Sequence, residues 1–262
     1  MKKMLLLGAL LSSTTFAHEP YVAPLAYVTE NSQTPVLSGY AENALSSEYA
    51  LNDIVFTVMS PSQKSSRITP ESHLKSTSVF DLALPEDGTY QISATVGYPL
   101  KYAQHDKQWK PVYDATAEKA GPLADRDYLI PSDFKKMKVE NVVREWSIES
   151  YVSKNKTSAI TQKIAAPLSV SFSAHPNEIK AATATNILVM KDQKVLKNAE
   201  VNILAQGAAE DQATQFVTNA EGIAEVQFPT AGQYLVEVTE THDLKKKPVN
   251  QYYTIVSLNV NP

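Results

Sequence analysis

The sequence predicts an all-β protein built as two antiparallel β-sandwiches. Three observations carry this expectation. Runs of β-branched and aromatic residues recur along the chain, parted by short turns of Pro, Gly, Asn and Asp. The composition holds 13 Tyr and 15 Pro against only 8 Gly, which suits strands and turns better than glycine-lined phosphate loops. The length of 262 residues leaves room for two domains at about 100–150 residues each.

Taken in order, residues 1–17 read as an export signal. Lys2 and Lys3 give a positive start, Met4 to Leu11 an apolar stretch, and Thr15-Phe16-Ala17 a small-x-small cleavage site. The apolar part is shorter than the roughly 20 residues that cross a bilayer, and no cysteine exists to carry a lipid. A periplasmic or secreted protein with no membrane insertion is therefore expected. Losing two lysines and no acids takes the net charge from −4 to −6.

The first sandwich is expected over 18–165. Its strands are read at Pro35–Tyr40, Asp53–Met59, Ser78–Leu84 and Thr89–Val96, with Pro85-Glu86-Asp87-Gly88 as the turn before the last. Residues at about 101–140 read as a long hairpin extension or irregular excursion with a short helix near Ala115–Ala120, and Val142–Val152 as a returning strand. The second sandwich is expected over 166–262, after a joint bracketed by Ala166-Pro167 and His175-Pro176-Asn177. Its strands are read at Thr185–Met190, Glu200–Ala205, Gln215–Thr218, Ala224–Phe228, Gln233–Glu240 and Tyr252–Val260. Trp109 and Trp146 are expected to pack in a core or between domains.

Several chemistries are excluded at once. With no cysteine there are no thiolate metal sites, disulfides or cysteine nucleophiles. Lys and Arg number 24 against 28 Asp and Glu without a long basic run, which disfavours nucleic acid as a partner. No HExxH, GxSxG, phosphate-loop or dinucleotide pattern is present, and no catalysis is expected. Lys245-Lys246-Lys247 reads as a solvated hairpin loop.

One constellation has chemistry. Cleavage after Ala17 exposes His18, in His18-Glu19-Pro20-Tyr21, as a new N-terminus. Its α-amine and Nδ1 can hold one metal ion in a six-membered chelate ring. Their ordinary pKa values of about 8 and 6.5 allow a divalent metal to free both near neutral pH. Imidazole suits nickel, copper, zinc and iron. Pro20 has no amide hydrogen, so a square-planar site climbing the first three residues is blocked and further ligands must come from elsewhere. His105 and His242, each followed by an aspartate at an expected loop tip, are the candidates beside His18. His73 reads as a loop residue and His175 as a linker residue.

The signal followed by His18, the turn Asp87-Gly88-Thr89-Tyr90, and a second-half series resemble the DUF4198 proteins. That series is Leu196-Lys197-Asn198-Ala199-Glu200-Val201, Thr218-Asn219-Ala220-Glu221-Gly222, Ala231-Gly232-Gln233-Tyr234 and Tyr252–Leu258. The resemblance covers essentially the whole mature chain. The second half also resembles transthyretin-like and carboxypeptidase-regulatory-like modules, although Lys197-Asn198 stands where these often carry a Pro-Leu-like pair. The resemblance implies Ig-like or transthyretin-like sandwiches and an exported component of nickel or cobalt uptake. It would bind a divalent nickel, cobalt or copper ion through His18 and pass it to an inner- or outer-membrane transporter. Two alternatives stay open: an adhesion or scaffolding module without metal, and a copper oxidase resembling the lytic polysaccharide monooxygenases, which also use an N-terminal histidine.

Overall fold

The structure, a computed structural model, describes residues 19–133, 138–160, 166–241, 243 and 245–262. The export signal, His18, His242 and the boundary expected at 165/166 lie wholly or partly outside the described residues. In chain order the first strands are β1 (Glu19–Pro24), β2 (Val28–Thr29), β3 (Gln33–Ala41), β4 (Tyr49–Ala50), β5 (Phe56–Met59), β6 (Ser65–Ile68), β7 (Ser72–His73) and β8 (Ser78–Ala83). The long β9 (Gly88–His105), the short β10 (Gln108–Pro111) and the long β11 (Val139–Lys154) follow. The second half gives β12 (Leu168–Phe172), β13 (Ala184–Lys191), β14 (Lys194–Val195) and β15 (Ala199–Ala205). It ends with β16 (Thr214–Val217), β17 (Ile223–Gln227), β18 (Gly232–Glu240) and β19 (Gln251–Val260).

These strands form three sheets. A five-stranded sheet runs β1-β3-β8-β7 with β4 on β3, and a four-stranded sheet holds β12, β13, β14 and β17. Between them lies a ten-stranded sheet, β16-β15-β18-β19-β11-β9-β5-β6, with β10 and β2 at its sides. The all-β sandwich fold is as predicted. The sequence gives no sign of the seam in the ten-stranded sheet, where β11 and β19 pair parallel from Arg144↔Gln251 to Ser150↔Ser257. Strands from both halves of the chain thus share one sheet.

Side-chain alternation explains the layering, because successive residues of a strand face opposite sides. Trp146, Ile148 and Val152 of β11 pack with Tyr21, Val36 and Phe80 beneath the five-stranded sheet. Tyr151, between them in sequence, joins Leu168, Ile187 and Val226 beneath the four-stranded sheet. In β18, Leu235 belongs to the first core, while Tyr234, Val236 and Val238 belong to the second. The two smaller sheets therefore cover opposite faces of the large one. At the seam Ser257 Oγ donates to Val22 O at 2.6 Å and lies 2.8 Å from Ser150 Oγ, tying β1 to both seam strands.

Of the two expectations for the excursion, the long hairpin extension describes it better than the irregular one. Strand β9 runs on to His105 and folds back as β10, and β11 already starts at Val139, facing Ala103. The remainder is pinned: Leu129 N donates to Pro111 O at 2.8 Å, and Arg126 makes two 3.0 Å bonds to Asp133. The helix is a single turn at Ala117–Ala120. Both tryptophans are buried, Trp146 in the first core and Trp109 against Leu100, Tyr102 and Val142.

Candidate functional site

The described chain enters β1 at Glu19, which pairs with Ala41 of β3. That point overhangs the face of β15 and β18 that the four-stranded sheet leaves open. A cavity of about 360 Å³ lies there, with Glu19, Glu42, Glu210, Asp211 and Glu237 on its walls beside Ala44, Leu204 and Leu235. Glu19 as a residue is half-buried, but its carboxyl end is enclosed and shares a hydrogen bond with Glu237. Burial first, then the Glu237 carboxyl and the more distant Glu210, hold the Glu19 carboxyl well above the usual carboxylate range, and only Arg144 opposes them. Two carboxyls in such contact cannot both ionise easily without a cation.

Arg144 is held in place beside the pair. Its Nε donates to Gln251 Oε1 at 2.8 Å, and its guanidinium lies 5.8 Å from the Trp146 ring centre and 5.5 Å from that of Tyr253. Burial likewise raises the Tyr253 phenol above its ordinary range, with Arg144 opposing and Glu237 and Glu19 adding to the shift.

The predicted ligands are placed as follows. His18 adjoins Glu19 in sequence and, like His242, lies outside the described residues. His105 ends β9 opposite Gln108 at the hairpin tip, its Nε2 3.3 Å from the Asp106 carboxylate. Tyr98 is the β9 residue facing Arg144, and the seven residues from there to His105 span about 23 Å at roughly 3.3 Å each. The hairpin therefore carries His105 away from the Glu19 cavity. Among the described residues no three His, Asp or Glu side chains converge closely enough to hold a metal ion.

His175 is not the plain linker expected at the joint. Its Nδ1 accepts from Asn177 N at 3.1 Å, and its Nε2 lies 2.9 Å from Thr89 Oγ1. Burial lowers its pKa, so the ring stays neutral. Asn177 Nδ2 donates to Tyr27 O and to Ser153 Oγ, both at 2.9 Å. His175-Pro176-Asn177 thereby clasps the joint against β9 and β11.

Sequence reasoning passed over Glu237 and Glu149, both buried in the large sheet. Their signal was present: each is the one charged residue in a local run that is otherwise apolar or small, Leu235-Val236-Glu237-Val238 and Trp146-Ser147-Ile148-Glu149-Ser150.

The motifs shared with the resembled family prove to be turn locks. Tyr90 Oη accepts from Glu86 N at 2.7 Å and donates to Glu86 O at 3.0 Å; Tyr234 Oη donates to Thr230 O at 2.9 Å. Thr218 Oγ1 accepts from Ala199 N at 2.8 Å and donates to Leu196 O at 2.6 Å. Gly222 has φ +75°, and a Cβ there would come within 2.9 Å of Val189 O, so only glycine fits that turn.

Among solved structures, the chain is similar to the chicken CNTN1 FN1-FN3 domains at 8% identity, covering 94% of this chain and 100% of that one, with a TM-score of 0.26. It is also similar to a tetra-tandem repeat from the extending region of a large adhesion protein, at 12% identity, covering 94% and 74%, with a TM-score of 0.24. A marsupial T cell receptor follows at 9% identity, covering 92% and 73%, with a TM-score of 0.20. The fold rests on the strand pairing itself. No curated protein matches the sequence. The profile of a domain of unknown function, DUF4198, matches residues 15–242, from the end of the expected export signal through the last core strand but one. The chain therefore belongs to the DUF4198 family.

Proposed function

We propose that this protein is a periplasmic carrier of a divalent transition metal (nickel, cobalt or copper) for uptake or delivery to a membrane transporter. In this reading the amine and imidazole of an N-terminal His18 are the primary ligands, and the protein performs no catalysis. The observation that carries it is the enclosed Glu19–Glu237 carboxyl pair with Glu210 nearby. Such a pair holds a proton in place of a cation, and a metal ion that displaces the proton turns mutual repulsion into attraction on both sides. His18 directly precedes Glu19 in the sequence. Two nitrogens from His18 and carboxylate oxygens from the cavity make a mixed set that suits nickel, cobalt and copper.

The described residues alone are too few to hold the ion, so the reading needs residue 18 to complete the shell. His105, at its hairpin tip, is not part of the shell proposed here. Calorimetric titration of Ni(II) and Cu(II) into the protein beginning at His18 is expected to show one tight site. Glu237→Gln, which preserves shape and removes one carboxylate, is expected to weaken it on the order of tenfold or more. Equal affinity in the variant would remove the cavity from the site, and no uptake by either protein would leave a scaffolding module.

A further inference from the structure

On the opposite face of the large sheet from the Glu19 cavity, a second cavity of about 300 Å³ opens beside the edge strand β12. Gln91 of β9 and Glu149 and Tyr151 of β11 form its polar floor; Ile160, Val170 and Phe172 supply apolar wall. Glu149 is only 3% exposed. Tyr151 Oη donates to Glu149 Oε2 at 3.0 Å and accepts from Gln91 Nε2 at 3.2 Å. The amide of Gln91 also favours the ionised carboxyl.

All of these donors are neutral, and no ion pair to Glu149 occurs among the described residues. His175 lines the same cavity but cannot serve as counter-ion, since both ring nitrogens are engaged and burial keeps the ring neutral. Among the described residues Tyr151 is the other titratable group lining the cavity, and burial and the adjacent carboxyl hold its phenol well above the ordinary range. Among the described residues nothing in this packing requires an acid. A glutamine would fill the same space, accept from Tyr151 and avoid the cost of an unpaired buried charge. A carboxyl kept in such a place, at the floor of an accessible cavity, is a group waiting for a positive partner.

We propose that this cavity is a binding site for a small organic cation: a primary ammonium group on an apolar body, its charge met by Glu149 and its body lying against Val170 and Phe172. The volume is at the small end of the roughly 300–1,000 Å³ typical of ligand pockets. It admits about ten non-hydrogen atoms at roughly 30 Å³ each. A metal ion fits poorly, because a single carboxyl and neutral hydroxyls supply too few anionic oxygens.

The test uses 2-phenylethylamine as probe and the neutral 2-phenylethanol as control, titrated calorimetrically into the whole protein with EDTA present. The pH is set above about 7, where Glu149 is ionised. The amine is expected to saturate one site and to bind at least about tenfold tighter than the alcohol. Glu149→Gln is expected to abolish that preference and leave alcohol binding unchanged; Val170→Trp, which fills the cavity, is expected to block both. Failure of the amine to saturate, equal binding of amine and alcohol, or a preference that survives Glu149→Gln would overturn the proposal. Unaltered amine binding by Glu237→Gln keeps this outcome separate from that of the metal site.

Discussion

Glu149 sets a specific demand on pH. Burial pushes its carboxyl up to about 7 from an ordinary value of 4.5. The folded chain therefore keeps a proton that the unfolded chain releases, and stability falls as pH rises from about 4.5 to about 7, then levels off. The full loss is about 3 kcal/mol. Glu149→Gln is accordingly expected to be more stable than the parent by up to that amount above pH 7 and nearly equal to it near pH 4.5. Urea denaturation at both pH values checks this; an identical difference at the two would contradict it. At Tyr234 the hydroxyl closes a turn onto Thr230, so Tyr234→Phe is expected to cost about 1 kcal/mol and lower Tm by about 2–4 °C. The same Gly-x-Tyr pattern at Gly88-Thr89-Tyr90 was visible in the sequence, but not what it does. The partner carbonyl is four residues upstream, where no residue type is specified.

Among the elements, the described residues that follow β10 are held by an ion pair as well as by the Pro111–Leu129 bond. Arg126 and Asp133 are 6% and 11% exposed, and Asp133 Oδ2 also accepts from Ile130 N at 2.7 Å. The Arg126 guanidinium holds the Asp133 carboxyl below the usual range, so this lock persists into acid and is lost as pH falls through the depressed pKa. Asp133→Ala is expected to speed hydrogen exchange at Ile130 while leaving the global melting temperature nearly unchanged, since both main cores lie elsewhere. Unchanged exchange would show that the Pro111–Leu129 pairing suffices alone. Strand identities were readable from alternation because half-buried faces impose it. The continuation of β9 through Tyr98, Pro99 and Leu100 was not, because a proline and an exposed tyrosine interrupt the pattern.

At the scale of the molecule, the parallel seam between β11 and β19 couples the two halves. Tyr151 of the first half packs in the second core, and Leu204, Leu235, Tyr253 and Ile255 of the second half pack in the first. Calorimetry is therefore expected to give a single unfolding transition. A fragment of residues 166–262, lacking β11, is expected to unfold at markedly lower temperature than the whole chain. Two resolved transitions would contradict this. A seam joining residues about a hundred positions apart leaves no local trace in composition or periodicity, which is why the sequence reading shows two sandwiches but not their shared sheet. The candidate site was half legible for the same reason. His18 stands out through its place after a cleavage motif, whereas Glu237 becomes significant only when β18 folds beneath β1.

In the proposed site the terminal residue and the Glu19–Glu237 pair hold one ion together. This arrangement is tested most directly by comparing Ni(II) binding in the protein that begins at His18 with that in a protein carrying one extra glycine before it. A single tight site is expected in the first and its loss in the second, because the added peptide bond converts the chelating amine into a non-basic amide. Equal binding by the two proteins would contradict it.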